Sequence, residues 1–444
     1  MTTPAGLAPE YLPYDNKAQP SRYIDDYPRS QRRTPLQPFI LRALTRSERT
    51  GPTELERKLR IHTGDLRRRS PHAPQALGQS ILIQGRVLTE DGSPVAQAIL
   101  EMWQANGAGK YVHEFDRNDA PVDPNFDGAT RLVTDAEGRY LLRTIKPGAY
   151  PVPHSTWEWR APHIHVSIFA GSWMNRVITQ VFFPGEWLNG QDLLLNAIPD
   201  EHARQRLIAR PLPTVVKPSG NVLEFEHDFI VRGRHRTPTL IDVDEQPDRT
   251  ARTSPNLTTG PFFPPHFLDP GCDDLTQFDG RRASGTPIIL TGRVLEEAGG
   301  PTVNTIFEVW QCDANGVFRH PEDPRFSEID PGFAGWGRTF TDGNAWYRLS
   351  TILPGSYTEH GSARCPHINV MLLASGILRP LVTTVFFGDP ATAQDDPVVR
   401  SAAAHPGAHR LFAVRAPNLD RDGHQAYRFD IVLRGDGETP FFVE

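Results

Sequence analysis

The chain carries the same sequence pattern twice. The stretch GRVLTEDGSPVAQAILEMWQANGAGKY ends at Tyr111, and GRVLEEAGGPTVNTIFEVWQCDANGVF ends at Phe318. In this register Trp103 corresponds to Trp310, 207 residues further along the chain. Solenoid repeats have roughly 20 to 50 residues, so a repeat of this length indicates a duplicated domain.

Both copies consist of short runs in which apolar and polar residues alternate. The first copy contains SILIQGRVL, YLLRTI, HIHVSIFA and FEHDFIVRG, and the second ends with the similar YRFDIVLRG. Turn sequences such as EDGSP, DAEG and KPG separate these runs. Alternation with a period of two predicts strands that bury one face. The sequence therefore predicts an all-β protein with two homologous antiparallel β-sandwich domains, each preceded by an irregular, partly helical arm.

The composition suggests four segments. We expect an N-terminal arm at 1–78, a first sandwich at 79–235, a linker and second arm at 236–285, and a second sandwich at 286–444. The two arms are rich in proline, and RTGP at 49–52 in the first recurs as TTGP at 258–261 in the second. Within the first arm, SERTGPTELERKLRIH predicts one short helix with Thr53 as its N-cap.

Charge and cysteine content limit the possible partners and compartments. A net charge of −6 and a pI near 6.2 argue against a nucleic-acid partner. The three cysteines match neither a disulfide framework nor a paired metal motif, which favours a reducing compartment. No apolar run approaches the ~18 residues of a membrane span. We expect a cytoplasmic protein that does not cross a membrane.

Two histidines and two tyrosines are candidate metal ligands in the first copy. In HIHVSIF, residues two apart share a strand face, so His163 and His165 project together. Such a pair on its own is more often structural than ligating. Tyr111 and Tyr150 each end a repeated motif beside a turn, where loop residues converge at one end of a sandwich.

The second copy has lost two of these donors. It has Phe318 in place of Tyr111 and Asn369 in place of His165. Each change removes a donor atom and keeps a similar shape. This pattern indicates that the first copy holds one metal ion and that the second has lost its site.

The donor set narrows the choice of metal. Phenols have a pKa near ~10, so phenolate ligands at neutral pH require a strongly polarising cation. Two phenolates and two imidazoles suit Fe(III) better than zinc, copper(I) or an iron–sulfur cluster. Arg160 and Gln180 lie near the histidines, with Arg364 and Thr384 as their counterparts. Arg160 either stabilises negative charge on a substrate or has a structural role in both copies.

These residues lie in motifs that resemble the intradiol ring-cleavage dioxygenases. EMWQANGAGKY, DPNFDGATRLVTDAEGRYLLRTIKPGAYP and WRAPHIH resemble the iron-bearing β chain of the branch that cleaves protocatechuate. EVWQCDANGVF, CPHINV and AYRFDIVLRGDGETPFF resemble its metal-free α chain. The resemblance covers almost the whole chain and implies a fusion in the order β–α. It also implies one Fe(III) per chain, a homo-oligomer of the fused unit, and cleavage of an aromatic diol by dioxygen.

The resemblance implies a role for each candidate residue. Tyr111 and His163 would be equatorial iron ligands, and Tyr150 and His165 axial ligands. The most similar branch converts protocatechuate to 3-carboxy-cis,cis-muconate in the catabolism of aromatic compounds.

Three further residues receive roles from the same resemblance. Arg160 and Gln180 would orient and polarise the substrate ring. Tyr27 corresponds to a tyrosine that lines the pocket for the substrate carboxylate.

Three positions depart from the family pattern and bear on the substrate. Val152 replaces a tryptophan, Thr384 an arginine that helps to bind the substrate carboxylate, and Tyr357 an aliphatic residue. Catechol and hydroxyquinol therefore remain alternative substrates. Chlorocatechol and hydroxyquinol cleavers usually carry a helical dimerisation segment in front of a single sandwich, and no such segment is evident in this sequence. A non-enzymatic transthyretin-like binding module would explain the fold but not the one-sided loss of ligands.

Overall fold

The computed structural model describes residues 16–70, 72–152, 158–213, 216–217, 220–232 and 252–443. The helices are short: α1 (Pro28–Arg33), α2 (Arg46–Arg49), α3 (Leu193–Asn196), α4 (Glu201–Gln205) and α5 (Pro397–Ala402). Among the described ranges, no helix is long and apolar enough to cross a membrane. Single 3-10 turns occur at Asn16–Ala18, Leu55–Arg57, Trp173–Asn175, Trp187–Gly190, Pro265–Phe267, Glu297–Gly299, Phe326–Glu328, Pro390–Thr392, Ala408–Leu411 and Pro417–Leu419.

Strands account for most of the regular structure. The first half contains β1 (Ser80–Thr89), β2 (Ile99–Gln104), β3 (Ala129–Val133), β4 (Arg139–Ile145), β5 (Tyr150–Pro151), β6 (Trp159–Arg160), β7 (His163–Phe169), β8 (Val177–Phe182), β9 (Arg210–Pro211), β10 (Val216–Lys217), β11 (Gly220–Asn221), β12 (Leu223–Glu226) and β13 (Phe229–Val231). The second half contains β14 (Gln277–Phe278), β15 (Arg281–Arg282), β16 (Pro287–Leu295), β17 (Ile306–Trp310), β18 (Trp336–Phe340), β19 (Trp346–Ile352), β20 (Tyr357–Glu359), β21 (Ser362–Arg364), β22 (His367–Leu373), β23 (Leu381–Phe386), β24 (Val414–Arg415), β25 (Gln425–Arg428) and β26 (Ile431–Val432).

Each half forms a sandwich of the same design. One sheet is antiparallel, in the order β3-β2-β7-β8 in the first half and β18-β17-β22-β23 in the second. In the other sheet, β1 pairs antiparallel with β4, and β16 with β19. The predicted all-β fold with two homologous sandwiches is confirmed. The sandwiches are not wholly antiparallel as predicted. Strands β12 and β13 run parallel to β1, and β25 and β26 run parallel to β16.

The core of the first sandwich follows the predicted alternation along β7. Ile164, Val166 and Ile168 are fully buried and pack with apolar residues of β1, β2 and β4. Each such side chain contributes on the order of 1.5–3 kcal/mol when it leaves water. This packing fixes the strand register, because a slip of one residue would exchange the core side chains for the two histidines.

The two sandwiches pack against each other through the second faces of β2 and β17. Leu100 and Met102 point into the first core, whereas Ile99 and Trp103 belong to an apolar cluster shared with the second half. All six residues of β2 are buried for this reason.

Buried ion pairs also join the two sandwiches. Arg338 of the second half donates to Glu101 of the first half at 2.8 Å and to Glu308 at 2.7 Å. Arg131 pairs with Glu101 at 2.9 Å, and Arg176 pairs with Glu308 at 3.0 Å. Although burial disfavours the carboxylate, Arg338 and its neighbours hold the pKa of Glu101 at about 2. Removal of one partner from such a network costs about 3–5 kcal/mol.

The helix expected in the first arm differs from the prediction. Thr45, not Thr53, is the N-cap, and α2 ends before Gly51 and Pro52. A capping box forms as the Glu48 side chain accepts from the Thr45 backbone N–H at 2.8 Å. The chain then passes close to the first sandwich, where a Cβ on Gly51 would lie 2.4 Å from the Trp173 nitrogen. Only a single 3-10 turn follows.

Candidate metal centre

Strand β7 brings the imidazoles of His163 and His165 together on the face opposite the core. Their Nε2 atoms lie 3.1 Å apart, and both rings are buried. The Nδ1–H of His163 donates to the Ala161 carbonyl at 2.6 Å. This bond selects the tautomer in which His163 Nε2 carries a lone pair toward the centre.

Two tyrosines complete the group from neighbouring loops. The Tyr150 hydroxyl lies 3.2 Å from His163 Nε2, and the Tyr111 hydroxyl lies 3.5 Å from that of Tyr150. Tyr150 begins β5 and pairs with Arg160 on β6. The backbone N–H of Tyr111 donates to the Asp116 carboxylate at 2.7 Å, which fixes the loop after the repeated motif. The structure thus brings all four predicted ligands together.

Burial keeps these four groups neutral in the absence of a cation. It raises the pKa of Tyr111 well above its ordinary value and raises that of Tyr150. The charge of Arg160 opposes the shift at Tyr150. Burial also lowers the pKa of both imidazoles well below their usual range. Neutral imidazoles are the form that binds a metal, and a cation would stabilise the phenolates.

The space beside the imidazoles is shaped by close packing. The Trp103 ring stacks on His165 with centroids 4.8 Å apart and an interplanar angle of 7°. On another side, a Cβ on Gly260 would lie 3.3 Å from His165 Cε1. Gly260 has φ +69°, a conformation that other residues rarely adopt. Phe262 covers Tyr111 with ring centroids 4.8 Å apart.

The donor set fits a hard trivalent metal ion. Four donors with no thiolate follow one another at 3.5, 3.2 and 3.1 Å in the order Tyr111, Tyr150, His163, His165, and two of them can become phenolates. No three His, Cys, Asp or Glu side chains form an alternative metal cluster in the described ranges. The candidate metal centre therefore consists of the two tyrosine hydroxyls and the two histidine imidazoles.

Arg160 and Gln180 form one anchored unit beside this centre. Arg160 Nε donates to Asp192 at 2.8 Å, and its Nη2 donates to the Gln180 side chain at 2.6 Å. Gln180 Nε2 in turn donates to the Thr258 carbonyl in the segment before the second sandwich, at 3.1 Å. Although burial disfavours the guanidinium, Asp192 and Tyr150 raise the pKa of Arg160. The side chain is a fixed positive charge next to Tyr150.

The second sandwich repeats this scaffold. Arg364 lies 3.4 Å from Asp396, and His367 Nδ1–H donates to the Cys365 carbonyl at 2.6 Å. Both halves retain the arginine because it pairs with a buried aspartate in each, Asp192 in the first and Asp396 in the second. The two arginines differ in their second contact, because Arg364 Nη2 donates to His367 Nε2 at 3.0 Å.

The first arm fills the corresponding space in the second sandwich. The Ser47 hydroxyl lies 2.9 Å from His367 Nε2, and Asn369 Nδ2 donates to the Glu48 side chain at 3.0 Å. Tyr357 packs edge-on against Phe318 at 5.5 Å and serves as a packing residue there. The two arms are thus exchanged: α2 of the first arm closes the second sandwich, and residues 260–262 of the second arm close the first.

A cavity of about 560 Å³ lies beside the candidate metal centre. Tyr150, Val152 and Gly260 line one part of it, and Arg29 and Ser375 line another. Val152 thus lies on the cavity wall beside Tyr150. Tyr27 reaches the wall of this cavity through a 2.9 Å hydrogen bond between its hydroxyl and Ser375 Oγ.

Thr384 does not line the cavity, although the family pattern places a residue that binds the substrate carboxylate at this position. It is fully buried on β23, and its hydroxyl donates to Asn369 at 3.0 Å inside the second sandwich. The second sandwich meets the cavity through Val303, Asn304 and Ser375 instead. The sequence did not identify Arg29 and Ser375 as residues of the site, because they lie 346 residues apart in the chain.

Comparisons with known proteins agree with the duplicated domain. The family described as Dioxygenase matches residues 51–233 and 258–435. The protocatechuate 3,4-dioxygenase β chain of Burkholderia cepacia is 41% identical over 239 residues, which are 54% of this chain and 99% of that protein. The α chain of the same organism is 34% identical over 203 residues, 44% of this chain and 98% of that protein. Catechol 1,2-dioxygenase 2 of Acinetobacter lwoffii is 42% identical over 76 residues, 17% of this chain and 26% of that protein.

Proposed function

Because the chain belongs to the intradiol dioxygenase family, we propose that its first sandwich holds one Fe(III) and cleaves an aromatic diol between its two hydroxylated carbons. The convergence of two phenols and two imidazoles in that half carries the proposal. The ligands would be Tyr111, Tyr150, His163 and His165. Bound there, Fe(III) would act as a Lewis acid that activates the diol toward dioxygen.

The surrounding residues have separate tasks. As a phenolate, the Tyr150 oxygen is positioned to accept a proton from the diol, since it faces both the centre and the cavity. The guanidinium of Arg160 would stabilise negative charge on the bound ring. Gln180 keeps that guanidinium in place through its 2.6 Å bond.

The segment that leads into the second sandwich closes the site. Gly260 leaves room for His165, and Phe262 packs over both tyrosines. This apolar cover limits water at the reacting ring, which strengthens electrostatic interactions there.

Protocatechuate is the substrate that we favour, with 3-carboxy-cis,cis-muconate as the product. Similarity to a protocatechuate 3,4-dioxygenase β chain over 99% of its length supports this choice. The match to a catechol 1,2-dioxygenase covers a much smaller share of that protein. Catechol and hydroxyquinol are the alternatives, because Val152, which lines the cavity, departs from the tryptophan of the family pattern.

Oxygen uptake by the iron-loaded protein tests the proposal. Protocatechuate, catechol and hydroxyquinol are supplied in parallel, and the products are identified by mass. We expect one dioxygen consumed per ring and a muconate as the product, with protocatechuate the best substrate. Absence of uptake with all three diols would contradict the proposed function.

A further inference from the structure

One wall of the cavity beside the metal centre carries an arginine without an acidic partner. Arg29 lies on α1, and its Nη1 donates to Ser375 Oγ at 2.7 Å. Within the described ranges, no carboxylate lies within 4.0 Å of its guanidinium. Arg33, one turn later on the same helix, is paired with Glu296 at 2.8 Å. Arg29 therefore presents a positive charge to the cavity that the protein does not balance locally.

The surrounding backbone holds Arg29 at this position. Gly376, at φ +86°, approaches it so closely that an added Cβ would lie 2.6 Å from Arg29 Cβ. The buried hydroxyl of Tyr27 shares Ser375 Oγ with the arginine, at 2.9 Å. The first arm and the second sandwich thus form one cluster, consisting of Tyr27, Arg29 and Ser375.

This cluster has hydrogen-bonding capacity left over. A guanidinium has five N–H donors, and the only one of Arg29 engaged within the described ranges is the bond to Ser375. A planar guanidinium matches a carboxylate in two parallel hydrogen bonds. The hydroxyl of Ser375 already accepts from Arg29, so its own proton is available to Tyr27 or to a ligand.

The other charges of the cavity leave this part of the wall positive. Asp116 is occupied by the backbone N–H groups of Tyr111 and Asn118. Asp119 and Arg117 are exposed. Tyr150 lines the same cavity as Arg29, so a diol bound at the centre would direct a ring substituent into the space that the arginine faces.

We propose that Arg29, supported by the Tyr27 and Ser375 hydroxyls, binds an anionic substituent on the substrate ring and makes the enzyme selective for catechols that carry a carboxylate. This inference rests on the proposed function, because it requires a diol at the metal centre. It assigns to Arg29 of the first arm a role that Thr384, in place of the arginine of the family pattern, cannot supply.

The test compares two substrates of nearly equal shape and different charge. The full-length, iron-loaded protein and its Arg29→Gln variant are assayed with 3,4-dihydroxybenzoate and with the neutral 3,4-dihydroxybenzamide. We expect kcat/KM for the benzoate to fall by about 10- to 100-fold, the range for a lost hydrogen bond to a charged group. The value for the amide should change by less than about threefold. Arg29→Lys should recover part of the loss, since it keeps the charge but not the planar fork.

A matched control lies on the same helix. Arg32 is exposed and has an ion pair with Glu296 at 3.6 Å, so Arg32→Gln removes one charge outside the cavity. This variant should cleave both substrates like the wild type. An equal loss for benzoate and amide in Arg29→Gln, or no loss for either, would overturn the inference.

Ligand binding gives a readout that does not depend on turnover. The unreactive 4-hydroxybenzoate is titrated into the iron-loaded protein, and the change in the visible absorption gives its Kd. Arg29→Gln should raise this Kd by the same factor as it lowers kcat/KM, and an unchanged Kd would overturn the inference. If the wild type takes up no dioxygen with protocatechuate, catechol or hydroxyquinol, the proposed function fails, and that outcome is visible before any variant is made. If the wild type cleaves catechol or hydroxyquinol but not the benzoate, only the inference about Arg29 is overturned.

Discussion

Asn369 donates its amide hydrogen to the Ser47 hydroxyl at 2.8 Å, at the place where the first sandwich has His165. The first arm therefore occupies in one half the space that the candidate metal centre keeps open in the other. The loss of the ligands and the position of the arm are linked in the second sandwich, because Asn369 and His367 both form hydrogen bonds with Ser47 of the arm.

We predict that restoring the lost ligands will not restore a second metal site. The double variant Phe318→Tyr and Asn369→His supplies the missing donors, but Ser47 and Glu48 still fill the space. Iron analysis should give one iron per chain, as in the wild type. Two irons per chain would show that the arm yields readily and that ligand loss alone emptied the second half.

The reverse change should empty the first half. His165→Asn copies the residue of the second sandwich and removes one of four donors. We expect iron content to fall to a small fraction of the wild-type value, with loss of the visible absorption of iron-bound phenolate. His202→Asn is a control, because this exposed histidine lies on α4. Unchanged iron binding in His165→Asn would remove this residue from the ligand set.

Gly260→Ala should damage the centre by a steric route. The added Cβ would lie 3.3 Å from His165 Cε1, and the φ of +69° costs an alanine about 1–2 kcal/mol. Gly271→Ala is the control that separates the steric contact from the backbone strain. Gly271 has φ +82°, so an alanine there is strained, but no atom lies within 4 Å of the added Cβ. Both variants should lose similar stability in thermal unfolding, but only Gly260→Ala should alter the visible spectrum and kcat. Equal spectra would mean that the segment does not press on His165.

Arg338→Met should weaken the contact between the sandwiches. It leaves Glu101 and Glu308 buried without their shared partner, which costs about 3–5 kcal/mol in the free energy of unfolding. Arg428→Met is the control, because the pair of Arg428 with Asp430 is exposed and should contribute less than about 1 kcal/mol. Urea unfolding at pH 7 measures both, and equal effects would contradict a stabilising role for the network.

The same network predicts how stability depends on pH. The pKa of Glu101 is about 2 in the folded chain, below the value of about 4.3 expected when unfolded. A depressed pKa gives stability that is fully present above the unfolded pKa and is lost as the pH falls toward the folded one. We therefore expect the wild type to lose stability between about pH 4.3 and 2, and Arg338→Met to show a smaller loss over that window. If the free energy of unfolding fell equally with pH in the wild type and in Arg338→Met, the ion-pair network would not be the origin of the acid sensitivity.

Much of the site was predictable from local sequence. Alternation in HIHVSIF assigned His163 and His165 to one face, because the period of a strand leaves no other choice. Comparison of the two copies identified Tyr111, since its counterpart Phe318 differs by one hydroxyl. These arguments needed only short-range geometry and the duplication.

Contacts between distant segments were not predictable in the same way. RTGP and TTGP were recognised as similar, but the sequence does not say that each arm closes the other sandwich. The helix expected from Thr53 onward was wrong because tertiary contacts at Gly51 and a capping box at Thr45 determine where the chain turns. Homo-oligomerisation, cytoplasmic location and the absence of a nucleic-acid partner stay predictions from the sequence.

The metal content and colour of the purified protein test the central claim most directly. We predict close to one iron per chain and a visible absorption band from phenolate bound to Fe(III). The band should disappear in the double variant Tyr111→Phe and Tyr150→Phe while the fold is retained. Absence of iron from carefully purified wild type, or a band that survives the loss of both hydroxyls, would contradict the account.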